Sequence, residues 1–487
     1  MKDEATGPGF DCDYPLLAAL RRDRPREIGD FERAIEMSRR FRHAVVEPNA
    51  LAVDRRVLQD PRWVAEDVLR EAARHGFFSM MVPRTFGGAG FAFGAMIVGM
   101  EELAAGCLGI ANLVAVHGLA FAMVAATGDL PAVERVSRLL VEGEREGTPR
   151  LLSTGITEPS AGTDVEDVDL LRSAHLDCEA QPVRGGYRLR GRKVFISNGS
   201  IAHTHVVLMP THRGDPVNTT FAFLVERGTA GFSVGRVERK MGQKACPAAE
   251  LVFDDCFVPE TARIGHRPIP GRQLELVLGA TRGGVAAWGA GVARGAYERA
   301  LAFARSNRVG GRWLIDEQWV QLRLADMLGH VMTARSAYVE ALLSNELFGL
   351  SSLVAGSRVQ ELLMRHLPQP VLDSRATQRL IGSQRSRQRM RRAVDELADW
   401  KVDASSATGA AAKVSATELG MENCHLALDI MGAAGLRHDL GMEKLYRDAK
   451  LLTIYEGTNQ LNRIELYKKG IARDGRHPGA RFGSAPS

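Results

Sequence analysis

Apolar positions recur at helical spacing through residues 30–150, as in Trp63-Val64-Ala65-Glu66-Asp67-Val68-Leu69 and Val133-Glu134-Arg135-Val136. Gly87-Gly88-Ala89-Gly90 reads as a loop between two of these helices. From about 151 to 265 the pattern changes to short strand-like runs separated by Gly, Pro and Asp turns. The runs are Tyr187–Arg190, His205–Leu208, Thr220–Val225 and Glu250–Phe253. After Pro268 helical patterns return at 282–307, 317–343 and 410–431, and a last helix follows Thr458. The order helix, sheet, helix predicts an α+β chain of three parts. These are an N-terminal α-helical domain (30–150), a middle β-sandwich or barrel (151–265) and a C-terminal helical domain (266–473). A tail of Gly, Arg, Pro and Ser at 474–487 is expected to be disordered.

Residues 103–128 contain no Asp, Glu, Lys or Arg and a single histidine, His117, a stretch long enough to cross a bilayer. Gly106, Gly109, Asn112, Gly118 and Thr127 interrupt it and no aromatic anchors flank it, which favours a buried helix or helix pair over a transmembrane segment. A net charge of +5 suits anionic ligands such as nucleotides but is too weak to imply nucleic acid. The six cysteines form no C-x-x-C pair and no zinc-type cluster with histidine, so no metal site is expected. With Met1-Lys2-Asp3-Glu4 unlike a signal peptide, a reduced, cytoplasmic setting is the expectation.

Two motifs are decoys. Gly289-Ala290-Gly291-Val292-Ala293-Arg294-Gly295 imitates a dinucleotide fingerprint, but it lies inside an Ala-rich helical run, where glycines serve close helix packing. The run Arg385, Arg387, Arg389, Arg391, Arg392 has the charge to touch nucleic acid or anionic lipid. The apolar stripe of Ala393, Val394, Leu397 and Trp400 beside it favours a solvated helix face.

Four segments carry chemistry in a fixed order. They are Thr157-Glu158-Pro159-Ser160-Ala161-Gly162-Thr163-Asp164, Gly191 to Gly199, Lys240-Met241-Gly242-Gln243-Lys244, and Arg447-Asp448-Ala449-Lys450 running into Ile454-Tyr455-Glu456-Gly457-Thr458-Asn459-Gln460. Together they resemble the acyl-CoA dehydrogenase family: the first is similar to its T-E-P-x-A-G-S-D flavin loop, the second to its G-x-K-x-W-I-T-N-G strand. The resemblance implies a C-terminal four-helix bundle and FAD as cofactor. It also implies α,β-dehydrogenation of an acyl-CoA to the 2-enoyl-CoA, with the base abstracting the α-proton and flavin N5 taking the β-hydride.

On that resemblance Glu456 is the base, a carboxylate that burial would tune toward working pH. Some relatives place the base on an upstream helix, at the position of Thr281, which cannot do this work. Ile156, Thr157, Thr163, Phe195, Ser197, Thr458 and Gln460 match flavin contacts. Phe195 and Ser197 stand for the family's Trp and Thr; read without the family, Phe195 is a core strand residue and Glu456 sits in a helix-capping turn. Arg308, Gln318 and Gly432 match positions that reach FAD, the first two from a neighbouring subunit, which implies a homo-oligomer, dimer or tetramer. Thr163, Arg282, Tyr455 and Gly457 match substrate contacts. An electron-transfer flavoprotein is the implied electron acceptor.

The pattern also departs from the family's. The loop Arg308-Val309-Gly310-Gly311-Arg312-Trp313 is shortened, the turn Gly432-Ala433-Ala434-Gly435-Leu436 is altered, and residues at about 344–400 form an insertion expected to add a helical hairpin. Gly279 replaces an aspartate that contacts CoA in some relatives, which leaves an acyl-carrier-protein thioester open as the substrate. Ala105 stands where dicarboxylate-specific relatives carry arginine. A flavin oxidase on the same fold and a non-catalytic scaffold are the competing readings.

Overall fold

Side-chain caps set the start of two helices that frame the site and its neighbouring domain. Asp129 caps Leu130–Arg145 by accepting the Ala132 N–H, and Thr458 caps Asn459–Gly470 by accepting the Leu461 N–H, each satisfying a donor that the first turn leaves free. The computed structural model describes residues 10–354 and 367–472, so the tail from 474 lies outside the described residues. The N-terminal part comprises α1 (Pro25–Phe41), α2 (Glu47–Gln59), α3 (Glu66–Arg74), α4 (Phe93–Ala115), α5 (His117–Ala126) and α6 (Leu130–Arg145). α3 begins three residues later than the apolar pattern from Trp63 implies, because Ala65 takes a non-helical ψ of 67°. Trp63 instead lies under the Arg56 guanidinium.

The uncharged stretch becomes α4 and α5, and every residue of α4 after Phe93 is buried. Immediately before it, Glu101 and Glu102 are 0% and 1% exposed. Glu101 pairs with Arg294 and Arg335 and accepts from Tyr338, and Glu102 pairs with Arg39 and Arg294. Burial opposes ionisation of Glu101, yet Arg335 and Arg294 hold its carboxyl down to about 2. A helix so clamped from three sides by arginines is a core element of this domain.

Eight strands form two sheets packed face to face. β1 (Leu152–Gly155), β4 (Thr204–Pro210), β5 (Thr220–Glu226) and β8 (Arg263–Ile264) make one, in that order. β2 (Glu179–Val183), β3 (Gly186–Ser197), β7 (Ala248–Pro259) and β6 (Phe232–Val237) make the other, wholly antiparallel. Leu189, Ile196, Val207, Phe223, Val225 and Leu251 fill the space between, so the middle part is a sandwich. The pairing of β3 with β7 slips between Lys193 and Ile196, and that bulge matters below.

The C-terminal part is built on α7 (Arg272–Ser306), α8 (Gln318–Phe348), α10 (Asp399–Met431), α11 (Met442–Leu452) and α12 (Asn459–Gly470). Between α8 and α10, the described part of the expected insertion forms short helices, of which α9 (Gln384–Asp395) carries the arginine run on its exposed side. Val394 and Leu397 are buried beneath it, as the stripe implied. Glycines let α7 touch its neighbours at backbone distance. A Cβ on Gly289 would stand 2.7 Å from the Ala416 backbone on α10, and one on Gly291 2.5 Å from the Glu101 carbonyl on α4. The imitation fingerprint is therefore a packing seam. The same holds for Gly279, whose Cβ would lie 3.1 Å from Ser405 Oγ, leaving no space for the aspartate of relatives. Gly289→Val should consequently cost roughly 1–3 kcal/mol or more in chemical denaturation, because the overpacked seam has no flexible side chain to yield.

Candidate active site

α11 stops at Leu452, and the turn to α12 carries two consecutive left-handed residues, Glu456 (φ 54°) and Gly457 (φ 71°). Glycine adopts this readily; glutamate does so only when its surroundings compensate the strain. Here they do. The Glu456 carbonyl accepts from Asn462 Nδ2 (3.2 Å) and Arg282 Nε (3.4 Å), and the Gly457 carbonyl from Lys413 Nζ (2.7 Å) and Asn462 Nδ2 (2.9 Å). The Gly457 N–H donates to Glu166 Oε1 at 3.0 Å. On the side chain, Thr281 Oγ donates to Glu456 Oε2 at 2.8 Å. Glu456 and Thr281, the two positions that the sequence resemblance weighed for a base, thus touch one another, one holding a carboxylate and the other a hydroxyl that anchors it.

Burial raises the pKa of the half-buried Glu456, against the opposing pull of the Thr281 hydroxyl, Arg282 and Lys413. Burial also lifts the Glu166 carboxyl to about 7, with Arg282 opposing and Glu456 adding to the rise. Lys413, fully buried, is pushed down to about 7 by burial and by Arg282. Two acids and two bases therefore share one small volume, and Arg282, 1% exposed, turns Nη2 toward Glu166 Oε2 at 3.5 Å. A carboxylate with a raised pKa, held in place and partly reachable, suits proton abstraction from carbon.

Next to this turn lies the loop after β1. A buried ion pair, Lys193–Glu158 at 2.7 Å, fastens it to β3, and Lys193 Nζ also donates to the Ile156 carbonyl at 2.8 Å. Glu158 Oε2 accepts from the Asp177 and Cys178 N–H groups, so each carboxylate oxygen is satisfied. The Val194 N–H donates to the Thr157 carbonyl at 2.9 Å, which sets Ile156 and Thr157 beside Phe195. Phe195 is no core residue. In the β3 bulge its φ of 59° turns the ring outward, where it is 60% exposed. Ser197 follows, half-buried, before Asn198, whose Nδ2 donates to the Leu113 carbonyl and ties the strand end to α4. An outward aromatic face on a strand with Ser197 two residues on, joined through Val194 to Thr157, fits a flat, polar-edged ring such as isoalloxazine. Thr163 begins a 3₁₀ turn that ends at Glu166, linking this loop to the Glu456 turn.

Tyr455 is placed by Gln243, whose Nε2 lies 3.3 Å from its hydroxyl, and by edge-on contact with Trp288. Gln243 is itself fixed by the Asp448 carbonyl and by Asn112 of α4. Gly457 is buried, and a Cβ there would stand 2.8 Å from Glu166 Oε2; Gln460 is exposed beside the Thr458 cap. The remaining three predicted residues lie elsewhere. Arg308, stacked over Trp313 at 3.9 Å, and Gln318 are exposed where α7 gives way to α8, and Gly432 is exposed at the end of α10. α7 continues from Thr281 to Ser306, which at about 1.5 Å per residue puts this end roughly 38 Å from the Glu456 turn. Sequence reasoning missed Glu166, Lys413 and Asn462, because each acts on the turn from a distant or unremarkable position. Only the nearness of Glu166 to the first motif pointed to it.

The sequence profiles of three acyl-CoA dehydrogenase domains match the chain: the N-terminal domain at 30–144, the middle domain at 153–256, and the C-terminal domain at 272–347 and 355–470. The short-chain specific acyl-CoA dehydrogenase of Clostridium acetobutylicum is 27% identical over 442 residues, covering 89% of this chain and 96% of that protein. The benzylmalonyl-CoA dehydrogenase of Aromatoleum aromaticum is 32% identical over 304 residues, covering 62% and 75%. A chain from the solved structure of the electron transferring flavoprotein of Acidaminococcus fermentans, which concerns flavin-based electron bifurcation, superimposes with a TM-score of 0.71. It is 26% identical, covering 91% of this chain and 98% of that one.

Lys193→Met would leave Glu158 buried without its cation, and we expect a loss of roughly 3–5 kcal/mol in chemical denaturation. A loss below about 1 kcal/mol would show that the ion pair does not fasten the loop.

Proposed function

The chain belongs to the acyl-CoA dehydrogenase family, and from that premise we propose that it desaturates an acyl-CoA between Cα and Cβ with Glu456 as the base. The observation that carries this reading is the Glu456 carboxylate, held at 2.8 Å by Thr281 in a strained, half-buried turn that Glu166 ties to the loop after β1. FAD, when bound, supplies the acceptor for the β-hydride. Ile156, Thr157, Thr163, Phe195 and Ser197 would hold its ring side, with Thr458 and Gln460 beside the base. Arg308, Gln318 and Gly432 lie too far along α7 and α10 to serve the same cofactor, so a second copy of the chain would bring them. Their exposure and the Arg308 guanidinium suit a phosphate-bearing ligand.

Glu456 must be ionised to take the α-proton. Burial favours its neutral form, so the fraction able to react rises with pH through a pKa above the usual carboxylate range. As the proton leaves, charge grows on the thioester oxygen and needs donors already in place; the backbone N–H of Glu456 is the one this turn can offer. Arg282 and Tyr455 line the same turn, and Gly457, with no Cβ, allows the thioester close to the backbone. Electrons would leave to an electron-transfer flavoprotein, in keeping with the A. fermentans neighbour.

Anaerobic mixing with a panel of acyl-CoAs should bleach the flavin, and admitting oxygen afterwards should restore its colour only slowly. Rapid reoxidation would make the protein an oxidase, and no bleaching by any thioester would end the proposal. Glu456→Gln should keep FAD and thioester binding while slowing bleaching by roughly 10³-fold or more. Because Thr281 Oγ reaches the same carboxylate oxygen, Thr281→Glu combined with Glu456→Gly should recover part of that rate; a double variant no faster than Glu456→Gly alone would deny the two positions their equivalence.

A further inference from the structure

The peptide group between Glu456 and Gly457 is gripped at both ends by one acid–base pair. Its carbonyl accepts from Arg282 Nε at 3.4 Å, its N–H donates to Glu166 Oε1 at 3.0 Å, and Arg282 Nη2 faces Glu166 Oε2 at 3.5 Å. We infer that Glu166 is a positioning residue that fixes this peptide plane and, through it, the direction in which Glu456 leaves the backbone. The inference rests on the reading of Glu456 as the base. Glu166 lies two residues beyond the T-E-P-x-A-G-S-D pattern, in the turn that Thr163 begins.

A half-rotation of the peptide would set its carbonyl against the Glu166 carboxylate and its N–H against the Arg282 guanidinium. Both ends would then be repulsive, in a place where charge is poorly screened. Local preference does not supply this rigidity, since Glu456 and Gly457 both have positive φ and glutamate resists it. Thr281 secures the tip of the Glu456 side chain, and Glu166 secures its root. Lys413 of α10 binds the next carbonyl, at Gly457, and Asn462 of α12 donates to that carbonyl (2.9 Å) and to the Glu456 carbonyl beside Arg282 (3.2 Å), but neither contacts the N–H that Glu166 takes.

The charged groups facing Glu166 are Arg282 on α7, Glu456 in the turn and Lys413 on α10; Glu465 of α12 joins through Arg282. With its carboxyl lifted to about 7 by burial, Glu166 changes charge within the working range. Protonation leaves an oxygen for the Gly457 N–H but removes the charge opposite Arg282, so the clamp is strongest above that value.

The test uses the full chain with FAD bound, in parallel as parent, Glu166→Ala and Glu166→Gln. Hydrogen exchange of the peptide spanning 453–460 reads the clamp directly; reduction of the flavin by saturating acyl-CoA, followed against pH, reads its effect on the base. Glu166→Ala should raise exchange at the Gly457 amide about tenfold and slow flavin reduction roughly 10- to 100-fold, with thioester affinity within about threefold of the parent. Glu166→Gln keeps an acceptor without the charge. It should show intermediate exchange and lose the step in rate near the Glu166 pKa. Exchange within about twofold of the parent in both variants would overturn the inference, as would a rate loss explained wholly by weaker thioester binding. If no acyl-CoA reduces the parent flavin, the Glu456 reading falls while the exchange measurement still decides the clamp.

Discussion

Backbone-to-backbone contact along α7 is the constraint on which the rest of this structure depends. Where Gly289 and Gly291 meet α10 and α4, any Cβ would collide with main chain rather than with a movable side-chain tip. Close approach at those points fixes the rotation of α7 about its axis. That rotation puts Thr281 and Arg282 against the Glu456 turn and Arg294 against Glu101 and Glu102. One small-residue seam thus sets both the chemistry at one end of the domain and the charge balance at its middle.

Polar atoms do the finer positioning. Lys193–Glu158 joins a loop to a strand, and Gln243 joins α4, α11 and Tyr455 through Asn112 and Asp448. Asn198 joins the end of β3 to the Leu113 carbonyl. Each is buried, so each partner left unsatisfied would be costly, and the connections are correspondingly specific. Motifs that read as chemistry in the sequence are, in large part, this scaffolding: within Lys240 to Lys244 and Arg447 to Lys450, Gln243 and Asp448 bind one another and reach the Glu456 turn only by holding Tyr455.

Much of the architecture was legible beforehand because periodicity survives in local sequence. The four strand-like runs lie inside β3, β4, β5 and β7, and the helical patterns after Pro268 lie within α7, α8 and α10, give or take their ends. Short or polar elements escaped. β1, β2, β6 and β8 carry too few alternating positions to stand out, and the first ten residues of α7 look irregular until α10 is packed on them. At the site, the Glu456 turn and the Thr157 loop were readable as motifs, but the outward Phe195 was not, since a left-handed residue in a bulge leaves no mark in composition. The role of Glu166 was hidden for a different reason: it sits near a readable motif, but its partner lies 291 residues away in the chain.

The division of candidate residues between the two ends of α7 carries a consequence for heredity. On the proposed reading each site is assembled from the Glu456 end of one chain and the Arg308 end of another. A chain damaged only at Glu456 and a chain damaged only at Arg308, made in the same cell, would then form mixed particles in which some sites receive both intact halves. Two alleles that are each silent alone would partly rescue one another, whereas two lesions at the same end would not.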